Sequence, residues 1–300
     1  MYITSLSPKI NKTTSPNPPT NYLTFVTTFI IIINMDKTNI HNNFFVSILK
    51  KGNNARDFLI EALPKAVSDK LDLNHIEFCN TSYIQERFEE FFSDVVIRTR
   101  ISGTPTDVYI LTEHKSSLPG KNALFLQILS YIYSMLEEDY KNSRDFRIVI
   151  PLVFYHGSAK WSIPNEFASL YKTDTIFKEF ILNFRYFLYD TVNFDPDKSE
   201  KLHNNLILTS SLIALKSAFD RDDIDSVKRV IKNLNESGAL SSLLDSETFL
   251  IYIMYTKYLK KDEVIEIINE QNKEGGKTML TFESYFTEIG KAQGKLEGKL

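Results

Sequence analysis

The sequence predicts a mixed α/β protein of the α+β kind, with helices flanking a mixed sheet and a mainly helical C-terminal region. Three observations carry that prediction. SDVVIRTRI (93–101) and DVYILTEHK (107–115) read as two strands around a tight break containing Gly103 and Pro105. RIVIPLVFYHG, from Arg147 to Gly157, is a continuous apolar run bounded by charge and glycine, as expected of a buried central strand. From Glu200 onward, apolar residues recur at helical spacing in four successive segments.

The 300 residues, 43% of them hydrophobic, can bury a large core. A formal net charge of −3 gives no global pull toward polyanions, so a nucleic acid would have to be met by a local patch. Cys79 is the only cysteine, which excludes a disulfide framework and a thiolate zinc site and fits a reducing cytoplasm.

Residues 1–21 are rich in Ser, Thr, Pro and Asn and read as disordered. The apolar run Tyr22–Ile33 is shorter than the roughly 18 residues a membrane helix needs. Lys9 and Lys12 precede it, but no small-residue cleavage pattern follows. The expectation is that Met35 is the natural start, that residues 1–34 are a disordered or non-native extension, and that there is no stable membrane association. Residues 35–199 then form the first domain and 200–300 the helical region.

In order, residues 37–63 carry the first helical pattern. Asn53 or Asn54 is the N-cap of a helix that buries Phe58, Leu59, Ala62 and Leu63 and stops at Pro64. Asp57 and Glu61, four apart, read as a solvated pair. Residues 65–80 continue as short helical or loop pieces. IEFCNTSYI (76–84) reads as a strand leading into QERFEEFFSD. After the hairpin, SSLPGKN is a loop carrying Lys121, followed by a helix with an apolar stripe of Leu124, Phe125, Ile128, Leu129, Ile132 and Leu136. Gln127 and Tyr131, four apart, lie on a different line from much of that stripe. DTIFKEFILNFRYFLYDTVNFDP (174–196) reads as another strand on the same core. The glycines at 290, 294 and 298 make a poor isolated helix and read as a frayed tail.

The hairpin holds the candidate chemistry. With a four-residue loop, Ser102 to Pro105, Ile101 faces Thr106 and Asp94 falls opposite Glu113. Lys115 shares the side of Glu113, and alternation turns the His114 side chain away. Asp94 and Glu113 supply hard carboxylate ligands for Mg²⁺, and the His114 backbone carbonyl is a further oxygen. Such an ion activates water and offsets phosphate charge, while Lys115 orients the water or holds the oxyanion. Gln127 and Tyr131 contact phosphate or water from the next helix. The same residues also fit a plain surface ladder, worth about 0.2–1 kcal/mol per cross-strand pair.

NARDFLIEALP, FSDVVIRTRI, DVYILTEHKSS, LQILSYI and RIVIPLVFYHG, in this order and spacing, resemble the Rpn family, the YhgA-like transposases regarded as recombination-promoting nucleases. The resemblance covers about residues 40–165, and less specifically the helical C-terminus. It implies a PD-(D/E)XK restriction-endonuclease-like core and Mg²⁺-dependent DNA cleavage linked to recombination and mobile elements. Position by position it implies Asp94, Glu113 and Lys115 as the catalytic trio, with Gln127 and Tyr131 completing the site. Many members have Gln where Lys115 stands, so this chain follows the general superfamily pattern more closely. A homodimer would supply the two sites that double-strand cleavage needs. The competing expectation is an inactive DNA- or partner-binding module of the same fold. A DDE-type transposition site fits poorly, because the helical C-terminus offers no obvious third carboxylate.

Overall fold

The computed structural model describes residues 40–79, 95–101, 104–113, 118–196, 198–241 and 243–271. Asp94, His114 and Lys115 lie outside them, as do Tyr22–Ile33, Met35 and the glycine-spaced tail.

Two helices, α1 (Ile40–Leu49) and α2 (Asn54–Ala62), precede a short turn of helix, α3 (Lys65–Ser68). The strands are β1 (Glu77–Cys79), β2 (Val95–Ile101), β3 (Thr104–Glu113), β4 (Ile148–Tyr155) and β5 (Phe187–Asp190). Helix α4 (Lys121–Lys141) connects β3 to β4. The C-terminal helices are α5 (Leu206–Ser217), α6 (Ile224–Glu236), α7 (Leu243–Lys257) and α8 (Lys261–Gln271).

The five strands form one mixed sheet in the order β1-β2-β3-β4-β5, so the fold is α+β as the sequence predicts. β1, β2 and β3 are successively antiparallel, whereas β3, β4 and β5 run parallel. The change of direction follows from the connections. The two-residue connection from β2 to β3 can only reverse the chain, while the long crossover through α4 returns β4 parallel to β3.

Strand alternation divides the core in two. Val95, Ile97, Leu152, Phe154 and Tyr189 pack on one side with buried residues of α1, α2 and α5 to α8. Val96, Val153 and Tyr155 pack on the other with Leu124, Phe125, Ile128, Tyr131 and Met135 of α4 and with Trp161, Phe167 and Tyr186. The C-terminal helices thus share a continuous core with the first two helices and the sheet.

Several expectations are corrected. The hairpin register is two residues tighter: Ile101 pairs with Thr104, not Thr106, and Arg100 with Pro105. Pro105 is tolerated in β3 because pairing with β4 begins only at Thr106, so its missing N–H leaves no ladder bond unmade on that side. A shift of two keeps every residue on its face, but Val95 now pairs with Ile110, and Glu113 lies beyond that pair. The expected strand over 174–196 contracts to the four residues of β5, preceded by a 3₁₀ segment at Thr175–Phe180. The strand expected over 76–84 starts one residue later and is described as Glu77–Cys79, with residues 80–84 lying outside the described residues.

Two helix details differ as well. Asn53 stands at the N-cap of α2 without a side-chain cap bond, and the buried Asn54 instead donates from Nδ2 to the Ile48 carbonyl at 2.8 Å. Asp57 and Glu61 are not merely solvated. Asp57 accepts from Asn205 Nδ2 at 2.7 Å and Glu61 from Ser199 Oγ at 3.0 Å, tying α2 to the chain that leads into α5. In α4, Tyr131 and Met135 face inward, whereas Leu129, Ile132 and Leu136 are half-buried.

Candidate functional site

The carboxyl ends of the parallel strands meet at one edge of the sheet. Register sets Glu113, the last residue of β3, beside Tyr155, the last of β4, and Tyr155 beside Asp190, the last of β5. Because β2 is antiparallel, its first residue, Val95, belongs to the same half of the sheet. In open α/β sheets the crevice beyond the carboxyl ends is where ligands bind.

Tyr155 is the best-fixed member of that row. Its ring is fully buried, 4.7 Å from Trp161, and its hydroxyl donates to the Ala159 carbonyl at 2.8 Å. Gly157 makes this possible. A Cβ there would stand 2.3 Å from the Tyr155 hydroxyl oxygen, closer than real atoms approach. The sequence signal was the glycine closing VFYHG, which reads equally as a plain strand end. Trp161 Nε1 in turn donates to the Ile163 carbonyl at 3.0 Å and to the Tyr186 hydroxyl at 3.1 Å. Burial pushes the Tyr186 hydroxyl up to about 12, the Trp161 contact pulling the other way.

Helix α4 covers this side of the sheet. It starts straight after Gly120, whose carbonyl accepts from the Leu124 amide at 3.0 Å. Gln127 is half-buried, and Tyr131, one turn on, is 1% exposed among the apolar residues that also enclose Tyr155. The far end of α4 is clamped to the start of β4. Asp139 accepts from Arg147 Nε at 2.8 Å and from the Arg147 amide at 3.0 Å, and it also pairs with Arg147 Nη2. Burial alone would raise the Asp139 pKa, but the hydrogen bonds and charge of Arg147, helped by Arg144, hold it below the usual range.

His156 follows Tyr155 and is fully buried on the opposite side of the site. Its Nε2–H donates to the Leu215 carbonyl, and its ring lies 4.8 Å from those of His41 and Phe219. Asp190 is half-buried and caps the turn that follows, accepting from the Val192 amide at 2.9 Å and from Asn193 Nδ2 at 2.8 Å. Burial raises its pKa, against those two bonds and the Lys216 charge.

Of the residues singled out in the sequence, Glu113 is placed by its backbone at the carboxyl edge, and Gln127 and Tyr131 lie on the helix that packs there. Asp94, His114 and Lys115 fall outside the described residues. Among the described residues no group of three His, Cys, Asp or Glu side chains is arranged to hold a metal ion, and no helix is long and apolar enough to cross a membrane.

Residues 39–245 match the family model described as "Putative transposase, YhgA-like". The chain belongs to that family. The match spans α1 to α6 with the whole sheet. Among curated relatives it is similar to recombination-promoting nuclease RpnC of Escherichia coli K12, at 23% identity over 254 residues, covering 83% of this chain and 81% of the relative. It is also similar to recombination-promoting nuclease RpnD of Escherichia coli O157:H7, at 28% over 126 residues, or 41% of this chain and 48% of the relative. A third, the inactive recombination-promoting nuclease-like protein RpnE of Escherichia coli K12, is 26% identical over 198 residues, 63% of this chain and 62% of the relative. No solved structure matches the chain.

Proposed function

We propose that this YhgA-like chain is a divalent-metal-dependent DNA endonuclease of the PD-(D/E)XK type, acting in recombination within a reducing cytoplasm. One observation carries the reading most directly. Glu113 ends β3 at the carboxyl edge, level with Tyr155, which packs with Tyr131 of α4. The names of two relatives, both recombination-promoting nucleases, point the same way.

The proposed donor set is Asp94, Glu113 and the His114 backbone carbonyl. All are hard oxygens, and Mg²⁺ is commonly held by one or two carboxylates with water filling the remaining positions. When bound, the ion would supply Lewis-acid stabilisation of phosphate charge. The other roles belong to side chains. Lys115, a compact cation, orients the attacking water and balances charge on the non-bridging phosphate oxygens. Gln127, half-buried at the helix surface, offers both a donor and an acceptor to phosphate or water. Tyr131 acts from beneath, holding α4 against Tyr155. A homodimer would bring the two sites that a double-strand break requires.

The test is plasmid nicking by the purified full chain with and without Mg²⁺. Wild type is expected to nick only with the ion. Glu113→Ala and Lys115→Ala are each expected to lose at least about 100-fold, the scale of removing one charge-stabilising group, with an unchanged melting temperature. Equal cleavage by Glu113→Ala would remove the assignment. The similarity to a relative named inactive favours a second reading, a DNA-binding module without cleavage. It predicts salt-dependent DNA binding and no nicking with any divalent ion.

A further inference from the structure

Helix α4 carries a second apolar stripe on its outer side. Leu126, Leu129, Tyr133, Leu136 and Tyr140 recur at alternating intervals of three and four residues. That is the spacing of a coiled-coil seam. The stripe lies away from Leu124, Tyr131 and Met135, which face the sheet. Leu126, Tyr133 and Tyr140 are 59%, 56% and 75% exposed, and Leu129 and Leu136 are half-buried.

The spacing is also nearly palindromic. Tyr133 is its midpoint, with Leu126 and Tyr140 seven residues to either side and Leu129 and Leu136 between. A pair related by a twofold axis needs one patch that complements itself. An antiparallel copy centred on Tyr133 meets that need, setting Leu126 against Tyr140 of the partner subunit and Leu129 against Leu136 of the partner subunit. The charge beside the seam is already matched. Glu137 accepts from the Tyr133 hydroxyl at 3.1 Å and from Lys141 Nζ at 3.0 Å, so pairing along the stripe buries a closed ion pair rather than a lone charge.

The surroundings enlarge the patch at both ends. Among the described residues, ten of the thirteen exposed large apolar side chains lie between residues 126 and 182. Phe146 and Ile148 follow the C-terminal end of α4. Ile176, Phe177, Phe180 and Leu182 belong to the segment bracketed by Phe167 and Phe184, and both of those rings pack on Phe125 near the N-terminal end. An antiparallel pair brings each of these ends toward the other. At roughly 150–250 Å² per large side chain, the ten residues present on the order of 1,000 Å² per chain, against about 800 Å² per partner in a standard stable interface.

We propose that two copies of this chain pair antiparallel through the outer stripe of α4, with Tyr133 at the twofold axis. Gln127 stays clear of the seam, since it lies about 100° or more around the helix from every member of the stripe. The nuclease reading supplies the purpose, two sites for two strands, whereas the test below uses neither DNA nor metal and so stands or falls separately.

Sedimentation equilibrium of the full chain at micromolar concentration should show a dimer. Tyr133→Glu sets two like charges face to face and should weaken association at least about 100-fold. Leu126→Asp, further from the axis, should weaken it less. Both replaced side chains are exposed, so circular dichroism should show the variants folded. Tyr255→Glu, at an exposed tyrosine of α7, should dimerise as wild type does. With Cys79→Ser removing the native thiol, Tyr133→Cys should cross-link to its own copy on oxidation, while Leu126→Cys should not. A monomeric wild type, an undiminished dimer in Tyr133→Glu, an equal loss in Tyr255→Glu, or cross-linking by Leu126→Cys in place of Tyr133→Cys would each overturn the proposal.

Discussion

Among the described residues, α4 lies as the single long helix on one face of the sheet. On the other, α1, α2 and α5 to α8 bury Leu152, Phe154 and Tyr189 beneath several layers. The multilayer side is held mainly by apolar area and ring packing: Phe45 stacks on Phe154 at 4.1 Å, and Phe58 meets Phe45 edge-on at 5.1 Å. Among the described residues the α4 side buries fewer apolar side chains, and it is fixed by directed bonds. Tyr155, Trp161 and Tyr186 all use their polar atoms, and Asp139 with Arg147 locks the helix end. The difference separates two tasks. Apolar area supplies stability with tolerance of small shifts, whereas directed bonds hold atoms at chosen positions. The candidate site lies on the side built for position.

The strongest challenge to that division comes from the multilayer side. Phe45→Ala removes a fully buried ring and should cost about 3–5 kcal/mol in urea unfolding. On the proposed nuclease reading, the folded fraction should still nick DNA at the wild-type rate per molecule. A matching loss of turnover would mean that the two faces are not separate in function.

Arg147→Ala probes the clamp on α4. It leaves Asp139 buried without its partner and should cost about 2–3 kcal/mol, less than a fully enclosed pair because Glu138 and Arg144 sit at the solvent boundary. The pH dependence has a definite sign. Asp139 is held below its ordinary 3.8, so its stabilisation is present above that value and fades as pH falls through the lower folded-state pKa. Unfolding followed from pH 6 down to pH 2 should therefore show wild type losing its advantage over Arg147→Ala in acid. A constant difference across that range would remove the pair from the account.

Gly157→Ala should have a smaller stability cost, about 1–3 kcal/mol from overpacking. Its effect on nicking should nonetheless exceed that of Phe45→Ala, because the ring it displaces is level with Glu113. A fall in activity no larger than that of Phe45→Ala would contradict the division. Asp190→Asn is the gentlest test. Burial raises the Asp190 pKa, so its ionisation costs stability as pH rises through the folded-state value. The amide should be within about 1 kcal/mol of wild type at pH 7, the scale of a single hydrogen bond, with the difference shrinking in acid.

Much of this was legible in the chain. The apolar run from Arg147 marked β4 because a strand covered on both faces has no polar side to show. The hairpin was visible by alternation, yet its register was misread, since Pro105 looked like loop. Only knowledge that β4 begins pairing at Thr106 makes a proline acceptable there, and that is a tertiary fact. Tyr131 was taken off the apolar line, although a tyrosine can bury its ring wherever the neighbours suit the hydroxyl. The segment around Phe187 carries enough aromatics for a long strand. Its backbone forms 3₁₀ turns over much of that length, and local composition does not distinguish the two. The row Glu113, Tyr155 and Asp190 was out of reach, because it depends on which strands become neighbours.

The outermost strand β5 is four residues long and runs directly into the 3₁₀ turn Thr191–Asn193. A strand so brief offers a passing chain little unpaired backbone to zip onto, which is one way natural sheets avoid growing into aggregates. A fluorescent or affinity insertion that lengthened this rim would bring back the open edge that brevity keeps closed.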